Sequence, residues 1–208
     1  MTAPLLTYPH AGMYVEIRHD PDDEDPRGAF DHLGTIVGWK QPHLKIGDRQ
    51  VSIDCTTTAA VLERLRTEGA RLILPVFYTS HGPRCNLHMG DILDEDSLSY
   101  CSGVVYVTGE KLKSELGVKR VTAAAIEKAT GILRGEIAEY SAYLTGDVFG
   151  FTIRDDAGTE WESDWGFYGM KDCEHDANCA AERSAERKQA EADEAHQMAC
   201  RDIPTVAA

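Results

Sequence analysis

The chain has no run of about 18 apolar residues, so nothing in it reads as a membrane-spanning helix. Its start, MTAPLLTYPHAG, lacks the basic opening and the long apolar block of a secretory signal. Basic charge is scarce: 21 Lys and Arg stand against 35 Asp and Glu, a formal charge of −14. Nucleic-acid backbones are gripped by clustered Lys and Arg, so direct nucleic-acid binding is disfavoured. There is no GxSxG, no P-loop and no GxGxxG. These absences turn the reading away from an enzyme and from any cofactor. They also place the protein in the cytoplasm, off the membrane.

What is present fits one domain with an appendage. A chain of 208 residues with 42% hydrophobic content can bury a substantial core. The cysteines, Cys55, Cys85, Cys101, Cys173, Cys179 and Cys200, are dispersed. Without an export signal they are expected as reduced thiols.

Periodicity orders the elements. MYVEIR (13–18) alternates Met13, Val15 and Ile17 on one face and reads as a strand, as does LGTIVGW (33–39). Between them DPDDEDPR (20–27) is an acidic loop, and GDRQ after Ile46 is a turn. A helix is expected from Thr56 to Glu68, capped by Thr56 or Thr57 and closed by Gly69. RLILPVFYTS (71–80) is a strong strand, and Pro75 inside it demands an edge or a bulge. His81 to Ser102 reads as a polar surface excursion, and VVYVT (104–108) resumes the sheet. A short helix, Lys111 to Leu116, precedes a long core-facing one from Thr122 to about Leu144. A hairpin closes the pattern. Phe149, Phe151 and Ile153 alternate on its first strand; Trp161, Trp165 and Phe167 are expected on one face of its second, with Trp165 and Phe167 in the core.

The fold class is therefore α+β: a mixed or antiparallel sheet with a long packing helix, a late β-hairpin and a charged C-terminal helix. Residues 10–172 should form the core domain. Residues 173–208 carry Met198 as their only large apolar side chain before Ile203, so a charged, helical or partly disordered tail is expected.

The blocks DPDDEDPR, FDHLGTIV, LPVFYTSHG, YCSGVVYVTGEKL, GVKR, ILRGEIAEYSAYLTGDVFGF and DWGFYG together carry a resemblance. The stretch from about residue 14 to 170 resembles an uncharacterised family of acidic proteins encoded by tailed phages and related mobile elements. Thr79, Ser80, His81 and Gly82 stand where those relatives tend to read aspartate, histidine, serine and glycine, and Cys101 where an aspartate is common. The resemblance implies a phage setting and the cytoplasm of a host cell.

Candidate chemistry is sparse. From Asp20, the acidic loop puts Asp25 at the glycine position and Asp31 at the long bidentate position of a calcium loop, so that template fails. His81, Cys85, His88 and Cys101 are chemically suited to zinc, but their order matches no familiar motif and no metal is assigned. Cys173, Cys179, His196 and Cys200 are rejected as a metal site, because on one helix His196 lies about 25 Å from Cys179. His81 is the best-placed candidate base, yet no spacing ties it to Ser80, Ser102, Asp91 or Asp164, and no catalytic residue is named.

The reading favoured on these grounds is a non-enzymatic phage-type accessory protein that binds and inhibits or redirects a host factor, possibly one of host defence. Its partner surface comprises Asp22, Asp23, Glu24, Asp25, Arg27, His81, Arg84 and Tyr168, suited to a basic host protein. The alternatives are a metal-dependent or histidine-based hydrolase acting on a nucleotide, and a protein that sequesters a nucleotide signal through Arg27, Arg84 and Tyr168.

Overall fold

The computed structural model describes residues 3–39, 45–51, 58–81, 84–94 and 100–201, with backbone alone at 81, 84, 85, 200 and 201. The fold is α+β, with two sheets. The chain divides into two compact units, Met1–Asp23 with Asp147–Ala208, and Glu24–Gly146.

The first unit is one sheet under one helix. Strands β1 (Leu6–His10), β2 (Met13–His19), β8 (Val148–Arg154) and β9 (Glu160–Tyr168) form an antiparallel sheet in the order β1-β2-β8-β9. Ala11 (φ 49°) and Gly12 (φ 77°) make the two-residue turn from β1 to β2. Both residues with positive φ is the geometry that suits the twist of a tight hairpin. As the alternation predicted, Met13, Val15 and Ile17 are buried together, beside Phe149, Phe151 and Ile153. The last helix, Met170–Arg201, covers that face. It becomes α5 in chain order.

Here the structure departs from the expected tail. Cys173, Ala177, Ala180, Ala181 and Ser184 of α5 are all 0% exposed, so the helix is the unit's second layer. They recur at helical spacing and form an inner stripe. Small side chains on the helix let it approach the large ones on the sheet. Arg183 to Glu162 (2.6 Å), Lys188 to Asp156 (2.5 Å) and Tyr8 to Asn178 (2.9 Å) tie its rim.

Cys173 supplies a direct test of this docking. Burial pushes its thiol up from 9.0 to about 12, helped by the carboxylates of Glu174, Asp176 and Asp164. A thiol held protonated in the fold contributes stability that is complete below pH 9.0 and lost as pH rises towards about 12. Burial raises the Tyr8 hydroxyl in the same direction. The expected result is alkaline loss of stability, partly relieved in Cys173→Ala, and slow alkylation of native Cys173. Rapid labelling at neutral pH would place the thiol in solvent.

The second unit is a three-layer arrangement. β3 (Thr35–Trp39), β4 (Arg49–Val51), β5 (Ala70–His81), β6 (Arg84–Met89) and β7 (Gly103–Thr108) form a sheet ordered β4-β3-β7-β5-β6. Only β3 and β4 run parallel. Central β7 is buried from both sides, which accounts for its unbroken apolar run. Helix α2 (Thr58–Thr67) packs Val61, Leu62 and Leu65 against Val37, Trp39, Val104 and Tyr106. On the opposite face, α3 (Gly109–Leu116) and α4 (Ala123–Thr145) bury Leu112, Ala129, Leu133, Ile137 and Tyr140 against Ile36, Leu74, Val105 and Leu87. The last short helix, α1 (Pro26–Ala29), is capped by Asp25, whose carboxylate accepts from Arg27 N at 2.9 Å.

Helix ends follow the sequence closely. Thr122 caps α4 by accepting from Ala125 N, and Gly117 and Gly146 close α3 and α4 in the left-handed region. The expected caps Thr56 and Thr57 lie outside the described residues. The excursion expected from His81 contains a strand, β6, paired to β5. Pro75 sits where that pairing ends: Met89, the last residue of β6, lies opposite Val76, and Gly90 N donates to Pro75 O just beyond it. The missing proline donor therefore faces the end of the ladder.

Candidate functional site

Pocket formation in the second unit starts from an irregularity. Ala70 pairs with Thr108 and Leu72 with Val107, so Arg71 is the extra residue of a bulge. Bulges re-aim side chains. Here the Arg71 stem lies across the start of α3, where a Cβ on Gly109 would come within 3.0 Å of Arg71 Cγ. Glycine at 109 leaves that path open.

The result is a cavity of about 700 Å³ lined by Arg71, Lys113, Lys119 and Arg120, with Glu68, the first residues of α3 and the apolar Val121 and Ile126. Thr108 caps α3 and lines the cavity with Gly109 and Glu110, so the N-terminus of α3 faces this space. It carries a partial positive charge from its aligned peptide dipoles. Among the described residues, none of the four cations has a carboxylate within ion-pair distance. The Glu68 carboxylate is occupied elsewhere. Glu68 receives Arg49 at 3.2 Å and Arg64 at 2.9 Å. Those hydrogen bonds hold its carboxyl below the usual range, so it stays ionised. The lining contains no histidine and no cysteine. Such a cavity can bind an anion.

The sequence-predicted residues fall elsewhere. Asp22, Asp23, Glu24 and Asp25 are exposed. Asp20 Oδ1 accepts from Asp22 N at 3.0 Å, and Asp25 caps α1, so part of this stretch shapes the local backbone. Arg27 turns inward, with its side chain only 6% exposed. It meets Asp48 through Nε and Nη2, the Gly34 carbonyl at 2.7 Å and Glu136 at 3.5 Å. A guanidinium so occupied is not available as a grip. His81 and Arg84 form the last pair of the β5–β6 ladder, on either side of the connection between the strands, and their side chains lie outside the described residues. Tyr168 lies opposite Val148, half-buried, at the end of β9.

For the proposed zinc quartet, the side chains of His81 and Cys85 lie outside the described residues, as does that of Cys200 in the second quartet. His88 stacks on Phe77, with ring centroids 5.1 Å apart, and Cys101 is buried. Burial pushes the Cys101 thiol up. Among the described residues, no group of three or more His, Cys, Asp or Glu could hold a metal ion. No helix there is long and apolar enough to cross a membrane.

Sequence reasoning missed the four cations of the pocket. Lys113, Lys119 and Arg120 lie within eight residues of one another in an acidic chain, which was a usable signal. Arg71 carried none, because its place depends on the register of β5 against β7. No family model, no curated protein and no solved structure matches this chain.

Proposed function

We propose that the protein is a non-enzymatic binding protein that captures a small phosphorylated molecule of the nucleotide class in the basic pocket of its second unit. One observation carries this reading: a chain of formal charge −14 gathers around one cavity of about 700 Å³ four cations that have no ion pair among the described residues. Nearby carboxylates would ordinarily neutralise such a cluster. The volume falls within the range of about 300–1,000 Å³ usual for small-molecule sites. Phosphate oxygens satisfy Lys and Arg donors and are favoured at helix N-termini. A long nucleic acid would meet repulsion over the rest of an acidic surface, whereas a single nucleotide meets only the pocket. The reading corresponds to sequestration of a nucleotide, with different residues holding it. The rival reading, a basic host protein steered by Asp22, Asp23, Glu24 and Asp25, rests on exposed charge alone.

Thermal melting with pyrophosphate, nucleoside triphosphates and cyclic dinucleotides tests it, against sodium chloride of matched ionic strength. A bound ligand at a hundred times its Kd stabilises by about 2.7 kcal/mol. Charge-assisted hydrogen bonds are worth about 1.5–3 kcal/mol each, so Lys119→Glu with Arg120→Glu should weaken binding at least a hundredfold. Both side chains are exposed, so the variant should fold. Stabilisation by chloride equal to that by phosphates, or a double variant that binds normally, would overturn the reading.

A further inference from the structure

The other face of the first unit's sheet, away from α5, carries a second cavity. It measures about 580 Å³ and is lined by Arg18, His19, Pro21, Thr152, Arg154, Glu160, Ser163 and Trp165. Its shape comes from another bulge. Phe149 pairs with Phe167 and Gly150 with Trp165, leaving Gly166 (φ 86°) as the extra residue. This one-residue slip sends Trp165 to the face opposite Phe167.

Trp165 is 42% exposed, yet its indole is firmly placed. A Cβ at Gly150 would lie 2.1 Å from Trp165 Cε3 and 2.4 Å from Cδ2, so the ring rests directly on the glycine. A flat aromatic platform is thereby fixed beside the cavity. Next to it the charges balance: Arg18 meets Glu16 at 2.7 Å, and Arg154 meets Glu160 at 2.9 Å and Glu16 at 3.6 Å. One donor is left over. Arg18 Nε is buried and has no hydrogen-bond partner among the described residues, and being closed to solvent it is closed to an occupant of the cavity as well.

We infer that this groove binds the heteroaromatic ring of a nucleobase, as a nucleoside or a ligand that presents one. The platform calls for a planar ring, which tryptophan stacks on without regard to ring substituents. The balanced charges favour a neutral occupant over a polyanion. Thr152 and Ser163 add hydroxyls that can donate or accept at the ring edge. The cavity is large enough for a nucleoside and belongs wholly to the first unit.

Titration of the full chain with adenosine, guanosine, cytidine and uridine, followed by tryptophan fluorescence, tests the inference. None of these carries a phosphate, so the basic pocket of the second unit does not contribute. Saturable quenching by at least one nucleoside is expected, retained in Lys119→Glu/Arg120→Glu and lost in Trp165→Leu. Calorimetric titration of Trp165→Leu, which does not depend on that fluorophore, should show affinity reduced at least tenfold. Absence of saturable binding by all four nucleosides would overturn the assignment, as would calorimetric affinity unchanged in Trp165→Leu.

Discussion

Deletion of residues 173–208 should abolish folding of the first unit. Without α5, Met13, Val15, Ile17, Phe149, Phe151 and Ile153 lose the layer that buries them. Each such side chain contributes about 1.5–3 kcal/mol when taken from water, so the loss is on the order of 10 kcal/mol. Domains are stable by only about 5–15 kcal/mol in total. A four-stranded sheet with one apolar face bare has no other means of support and should aggregate or unfold. Amide hydrogen exchange on the truncated chain reads the outcome by residue. Protection should vanish along β2 and β8, while β7, held in a core of its own, keeps it. Truncation that leaves β2 and β8 protected would show that α5 is dispensable after all.

That prediction reverses what composition suggested, and the reason is physical. Residues 173–208 look too polar to build a core because the contribution of α5 is made of Cys173, Ala177, Ala180, Ala181 and Ser184. Hydropathy counts large side chains; close helix–sheet packing uses small ones. Elements whose pattern is carried by large residues were legible: the alternation in β2, the stripe of α4 between Thr122 and Gly146, and the β8–β9 hairpin. β1, β4 and β6 do not show in the sequence, since LTYPH and RCNLHM alternate weakly, RQV overlaps the turn expected at GDRQ, and all three owe their strand geometry to pairing partners. Both candidate sites were hidden for a related reason. Strict alternation puts Trp165 with Phe167, and one extra residue, Gly166, separates them. Arg71 reaches its pocket from the same kind of slip. A bulge is a property of two paired strands, so no window of one strand reveals it.

Arg27→Met should destabilise the second unit by about 3–5 kcal/mol, the usual cost of removing one partner from a buried ion pair. The residue was read as a surface grip because it closes the acidic stretch, but its surroundings give it an internal task. Asp48 takes its Nε and Nη2 at 2.9 and 2.5 Å, and Asp48 Oδ2 also accepts from Ile36 N at 2.8 Å. Glu136 accepts from Leu33 N and Gly34 N at 2.5 and 3.0 Å while facing Arg27. The two carboxylates thus fasten the start of β3 to the turn at Gly47 and to α4, and Arg27 neutralises both. Glycine at 34 lets the core close at this junction, because a Cβ would lie 2.4 Å from Leu133 Cδ2 and 2.7 Å from Val105 Cγ2 and would force those side chains to shift. Methionine would preserve most of the stem packing and leave two carboxylates crowded without a cation. Replacing Glu136 by Gln in the same chain should recover part of the loss, because it removes one of those charges while keeping an acceptor for the backbone. Denaturant unfolding of both variants measures the difference. A change below about 1 kcal/mol for Arg27→Met, within the range of an exposed pair, would mean that solvent screens this cluster and that its guanidinium is free for a partner.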